Sequence, residues 1–323
     1  MCGINPFIKL INFQSIYDCI LNNMQSYAEV APNQYAEKDE TQIIYDANTG
    51  YLVDWIPLEM LDWKYLSMNV NAIELLEANP RRICWDYLAC NPNAMDLIKA
   101  NIEKIDIEEL CHNFNAIEFL QENKHLIDWC EISSNPYAIS LIEDNLDKIS
   151  WSRLSMNPNA IHLLETNFDK IDWYMLSLNP NAILILEANP DKIEWFNLSA
   201  NPNAIPLLEA NPDKIDWYML SANPNAISLL EANPDKIIWF KISENPNAIH
   251  LLQANPDKLK NTKANQQYIL CNKPYQYNVN WRTLSMNPSA LQLLEANKNM
   301  IEWTQLSANP AIFDHQKHNL VLK

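Results

Sequence analysis

WFNLSANPNAIPLLEANPDKID, residues 195–216, is followed directly by WYMLSANPNAISLLEANPDKII, residues 217–238. The two segments share their tryptophan, both Asn-Pro steps and almost every large aliphatic position, so they are copies of one unit. A fixed period of about twenty-two residues marks a stack of small supersecondary units, none of which buries its apolar face without its neighbours. Counted from the tryptophan as position one, Asn at position seven precedes Pro. This dipeptide starts a helix. The Asn side-chain oxygen accepts a free amide of the first turn, and Pro at the first helical position has no amide hydrogen to leave unpaired. The residue before Pro is driven out of the helical region, so the same step ends the element before it. In NPNAIPLLEA, residues 201–210, Ala204, Ile205, Leu207 and Leu208 form a stripe at helical spacing that stops at the second step, Asn211-Pro212. The following element, residues 212–222, is expected to begin as a Pro-Asp turn and become helical at Asp216, with Ile215, Trp217 and Leu220 as its anchors.

Outward from this pair the register reaches Trp173, Trp151, Trp129, Trp85 and Trp63 on one side, with Ile107 standing in once, and Trp239, Trp281 and Trp303 on the other. Position seven is Asn in every recognisable copy from Asn69 to Asn309, including Asn179, Asn201, Asn223 and Asn245, which are assigned as helix caps. The period breaks once. Between Trp239 and Trp281, the segment Asn261–Asn280 keeps neither a tryptophan nor an Asn-Pro step and reads as a degenerate copy or a loop. The expected fold is all-α: an α-solenoid superhelix of short helix pairs, about eleven copies over residues 55–313. At ~8 to 10 Å per copy it would extend on the order of 100 Å, with ends weaker than its middle. Isolated helices this short do not hold in water, so stability must come from stacking. Residues 1–54 lack the period and read as an N-terminal cap region, with a helix over Phe7–Leu21 and a hairpin over Thr41–Val53. Residues 314–323 form a polar tail.

Composition narrows the function. With only 2 glycines against 19 prolines, the chain has no means to build a phosphate-cradling loop and few hinges for a lid. The net charge of −17 opposes nucleic-acid binding, which draws on clustered Lys and Arg. It favours a basic protein partner or plain solubility, since the acids recur on each copy's solvent face. The 7 cysteines are scattered and odd in number, which suggests a reducing compartment. Cys90, Cys111 and His112 lie in neighbouring copies and are able to approach one another, although no zinc-ligand spacing is present. The apolar stretch Phe7–Leu21 is interrupted by Lys9 and Asp18, so it is neither a signal-peptide core nor a membrane span.

The order W-x-x-L-S-x-N-P-N-A-I-x-L-L-E-x-N-P-D-K-I, the opening WIPLEMLDW at residues 55–63 and the closing LSANPAIF at 306–313 resemble the NPNAI-type 22-residue helical repeat proteins of large DNA viruses of algae and protists. The resemblance spans residues 55–313. It implies a helical-repeat protein of viral origin that brings no catalytic residues or cofactor with it. A longer helical tail after NPAIF would be expected from that family, and here the chain is shorter.

Catalysis has little to rest on. His162 and His250 occupy position twelve, which tolerates many residue types, and no His, Ser, Cys and carboxylate set has a recognisable catalytic spacing. Binding has one specific feature. Position two carries Tyr174, Phe196, Tyr218 and Phe240 in four consecutive copies, with Met175 and Met219 beside them. These rings either form an outward ladder, as protein interfaces use, or pack between copies as added core. The expected function is a noncatalytic protein-interaction scaffold in the cytoplasm, needing neither cofactor nor metal, with a structural virion component as the alternative and an enzyme or small-ligand binder third.

Overall fold

The computed structural model describes residues 52–260 and 278–313. The Phe7–Leu21 helix, all but the last two residues of the Thr41–Val53 hairpin, most of Asn261–Asn280 and the 314–323 tail lie outside the described residues. The chain divides into two compact units, Met1–Gly50 and Tyr51–Lys323. The second is the repeat array.

Regular structure among the described residues is helical throughout, in short segments that follow the Asn-Pro punctuation, and the array is an α-solenoid. In one copy the first helix is Trp195–Ala200, a 3-10 turn Pro202–Ala204 leads into the second helix Ile205–Glu209, and a second turn Pro212–Lys214 ends the copy. Asn201 (φ −71, ψ 119) and Asn211 (φ −133, ψ 61) both lie outside helical geometry, as the following prolines require. Asp216 then caps Trp217–Ala222 by accepting the Met219 amide at 2.9 Å.

The core is aliphatic. Positions four, ten and fourteen are fully buried, as at Leu198, Ala204 and Leu208 or Leu220, Ala226 and Leu230. Trp195 and Trp217, expected to be buried between copies, are instead half-buried against the core. One face of the indole is left for the cation at position twenty: Lys236 stands 4.6 Å from the Trp217 ring centroid, Lys170 4.5 Å from Trp151 and Lys104 4.6 Å from Trp85.

Two polar side chains join the copies. The position-five Ser donates to the tryptophan carbonyl of its own helix and accepts the last amide of its copy, as Ser199 does from Asp216 at 2.9 Å. The position-seven Asn does more than cap. Its Oδ1 accepts the amide two residues on, as Asn201 does from Asn203 at 3.0 Å, while its Nδ2 donates to the Ser177 and Asn179 carbonyls of the preceding copy at 3.1 and 2.8 Å. Asn179, Asn223 and Asn245 repeat the arrangement. Each of these amides is buried, and every rung passes to the next.

The ladder has no end. Asn69 in the first copy donates to the Ser307 and Asn309 carbonyls of the last copy, both at 3.0 Å, so the last copy stands where a preceding neighbour stands elsewhere. The seam is completed from both termini. Asp62 donates its amide to Ser307 Oγ at 2.8 Å, the bond that the last residue of every Ser-bearing copy makes within its own unit. Leu58–Met60 forms the 3-10 turn of that unit, Leu61 fills its buried aliphatic position, and Leu52 pairs with Phe313 in an antiparallel bridge. The eleventh copy is therefore composite, its first half 303–313 and its second half 52–62. The linear extent expected from the sequence does not occur, because the array closes, and neither terminal copy is left with an uncovered end. At ~8 to 10 Å per copy the contour of about 100 Å is a circumference, with a mean radius of ~16 Å.

One join spans a longer stretch of sequence than the others. Asn287 donates to the Ser243 and Asn245 carbonyls, both at 3.2 Å, and the Asn280 amide reaches Ser243 Oγ. The Trp239 and Trp281 copies are thus direct neighbours.

Candidate partner-binding face

In a closed stack the side on which neighbouring copies converge is the concave one. First helices of consecutive copies pack closely, Trp195–Ala200 on Trp217–Ala222 and Trp151–Met156 on Trp173–Leu176, whereas no two second helices approach as closely. Side chains at position three meet from copy to copy: the Tyr65 and Tyr87 rings lie 5.5 Å apart, and Arg153 donates to Glu131 at 2.6 Å. The first helices therefore line the concave side and present positions two, three and six there. The second helices face outward, with position twelve exposed, as at Leu184, 79% exposed.

The concave face changes character along the array. In the first copies it is polar and acidic: Asp86, Glu108, Glu109 and Glu131 follow one another at positions two and three. Cys90 Sγ donates to the Glu109 carboxylate at 3.2 Å, and Glu131 bridges Arg153 and His112, the latter at 3.0 Å. Lys64, over the Tyr87 ring at 4.6 Å, is held above the usual lysine range chiefly by its hydrogen bond to Tyr87. From the sixth to the ninth copy position two is aromatic, and the tenth and eleventh copies return to Arg282 and Thr304 there. Phe196 is 43% exposed, and Tyr174, Tyr218 and Phe240 are half-buried. Met175 is half-buried too, but Met219, expected beside the ladder, is buried at 7% exposure and belongs to the packing between copies. Lys241 crosses over the Tyr218 ring at 5.4 Å and pairs with Glu244.

Sequence reasoning singled out position two and, through Met175 and Met219, position three in two copies, and missed position three elsewhere and position six. The available signal was their variability from copy to copy, at a spacing that places them on one helix face beside position two. The residues weighed as a metal set separate. Cys90 and His112 take different carboxylates, and Cys111 is fully buried where every other copy but the second has Ser. Burial pushes its thiol up to about 12. Among the described residues no cluster of His, Cys, Asp or Glu is arranged to hold a metal ion. His162 and His250 lie on the outer side, paired with Glu143 at 2.7 Å and Glu231 at 3.0 Å of the preceding copies. A groove of about 460 Å³ beside Trp239 on that side is lined by Glu231, Ile237, Leu251 and Lys258 among others.

Compared with known proteins, the chain matches no family model, and no curated protein or solved structure is significantly similar to it. Among the described residues no helix is long and apolar enough to cross a membrane.

Proposed function

We propose that the repeat array is a noncatalytic protein-binding scaffold whose concave first-helix face takes the partner. The supporting observation is a division of labour within each copy. The residues that recur, Leu, Ser, Asn and Ala at positions four, five, seven and ten, are buried and their hydrogen bonds are spent inside the array. Those that vary, at positions two, three and six, share the concave face. A frame that holds its own geometry leaves the variable face free to differ from copy to copy, which suits recognition of a large, nonrepetitive partner surface. The resemblance to viral repeat proteins without established activity points the same way.

The test is affinity capture from cells expressing the tagged chain, in parallel with a Phe196→Ser/Tyr218→Ser double variant whose melting temperature is checked first. Loss of captured proteins, by at least ~2 kcal/mol in measured affinity, with stability retained supports the reading. Unchanged capture removes the ladder from it. Co-purification confined to capsid components supports a structural virion role in its place.

A further inference from the structure

A contact repeated on the outer side is altered in one groove, and the alteration makes a site. In six copies the tryptophan of position one carries the cation of its own position twenty, as Trp63 carries Arg82, Trp151 Lys170 and Trp217 Lys236, at 4.5 to 5.7 Å from the ring centroid. The pair stands in the groove between two copies. Beside Trp239 that groove is walled by Glu231, Pro234 and Asp235, positions fifteen, eighteen and nineteen of the eighth copy, and by Trp239 and Lys258 of the ninth. The sixth copy departs from this arrangement. Its Lys192, 53% exposed, stands 3.9 Å from Asp191, and the ring beside Trp173 is Phe168, at position eighteen of the fifth copy. The two ring centroids are 5.3 Å apart with planes at 74°, so the rings are two walls of a corner. Trp173 is half-buried and Phe168 is 47% exposed, which leaves the corner within reach of solvent. In register with the Trp239 groove, exposed Glu165 and Asp169 lie on the Phe168 side. Leu184, at the position from which His250 reaches Glu231 in the ninth copy, borders the corner and is 79% exposed. The seventh copy's Lys214 also stands by its own aspartate, 3.9 Å from Asp213, but position eighteen of the copy before it is Pro190, which supplies no ring.

We infer that the corner between Phe168 and Trp173 binds the methylated ammonium of a lysine side chain on a partner protein. The array itself shows the chemistry, because the same indole position takes a Lys or Arg cation in six other copies. An unmodified lysine gains little from the corner. Its ammonium is strongly hydrated, and one exposed ring contact returns only a small part of what stripping that water costs. A quaternary ammonium keeps the charge, sheds most of the hydration and carries methyl groups that meet both rings and Leu184. Two aromatic walls near a right angle suit that shape. The exposed carboxylates of Glu165 and Asp169 complement the charge, and the nearest cation on their side, Lys170, is held over Trp151 at 4.5 Å. Lys192, paired only with an exposed neighbour at 3.9 Å, is free to swing aside at little cost. The corner lies on the outer side and does not depend on the concave face.

The probe is a fluorescein-labelled Gly/Ser peptide of about seven residues with one central trimethyllysine, titrated by anisotropy into the full-length chain. Controls are the same peptide with lysine and with the neutral tert-butyl isostere of trimethyllysine, which keeps the shape and removes the charge. Saturable binding at one peptide per chain, with both controls at least about tenfold weaker, is the expected result. Phe168→Pro gives position eighteen the residue that the eighth copy has there, and is expected to weaken binding at least about tenfold with an unchanged melting temperature. Should the proline lower the melting temperature, Phe168→Ser takes its place. Phe168→Tyr keeps the ring and is expected to keep the binding, and Phe196→Ser, on the concave face, to change nothing. Equal binding of the lysine or the neutral peptide, several peptides per chain, or indifference to loss of the Phe168 ring would overturn the inference. So would refusal of the trimethyllysine peptide by the wild-type chain. Vesicles of phosphatidylcholine present the same head group from a lipid and are expected not to sediment the chain; sedimentation that Phe168→Pro abolishes would overturn the assignment to a protein partner. None of these outcomes bears on capture through Phe196 and Tyr218, so the scaffold reading stands or falls separately.

Discussion

Asn201 shows how much one side chain carries. Its buried amide spends both donors on carbonyls of the previous copy and its oxygen on an amide of its own copy. Asn201→Ala leaves two buried carbonyls of the previous copy and one less buried amide short of partners, and a loss of roughly 2 to 4 kcal/mol is expected in urea unfolding. That exceeds the usual worth of a helix cap. A cap alone would tolerate Asn201→Asp, the outcome that the sequence suggests. The structure reverses this, because a carboxylate there would face two carbonyl oxygens with no donor to offer and would bury a charge. Asn201→Asp is expected to be at least as damaging as Asn201→Ala at neutral pH, and a wild-type midpoint for it would refute the ladder. Leu198, fully buried, is expected to lose ~2 to 5 kcal/mol on truncation to Ala, at least as much as the half-buried Trp195.

At the scale of the element, each first helix is held to its own copy by the position-five hydroxyl, and two copies lack it. Ala89 and Cys111 occupy that place, both fully buried. The site is already shaped for a hydroxyl in the other copies, so Ala89→Ser is expected to stabilise by ~0.5 to 1.5 kcal/mol, read as a shift in denaturation midpoint. A destabilised Ala89→Ser would mean that the second copy is shaped differently. Cys111 adds a pH dependence. Burial raises its folded pKa from an ordinary 9.0 to about 12. Between those values the unfolded chain gives up the proton and the folded chain keeps it, so the contribution is full below pH ~9 and is lost as pH rises through the folded value. Cys111→Ser is expected to flatten that part of the stability curve. An unchanged alkaline slope would place its cause elsewhere.

At the scale of the whole array, closure changes what a terminal copy is. In an open stack an end copy is released by breaking one interface; in a closed one, two must break together. Trp303→Ala is therefore expected to cost about as much as Trp217→Ala, and Leu61→Ala at the seam about as much as Ile193→Ala far from it, each pair within ~0.5 kcal/mol in denaturant unfolding. Leu61 and Ile193 are buried alike, at 6% and 7% exposure. Marked softness confined to Trp303 and Leu61 would show that the seam opens in solution.

What could be read from the chain alone was what is local and repeated. The period, the helix starts at Asn-Pro, the aliphatic stripe and the acidic caps all follow from the conformational demands of a few adjacent residues, and the structure keeps each of them. Position two was legible as a variable, aromatic place because four copies could be compared side by side. The second role of Asn201 was not, since a donor to the previous copy and a cap for its own leave the same residue in the sequence. Nor was closure. It depends on the small rotation between copies, about 33° for eleven in a full turn, accumulated over the whole array. No single copy encodes that sum, and the half-copies 52–62 and 303–313 look like worn ends until they meet. Only the tertiary structure brings them together.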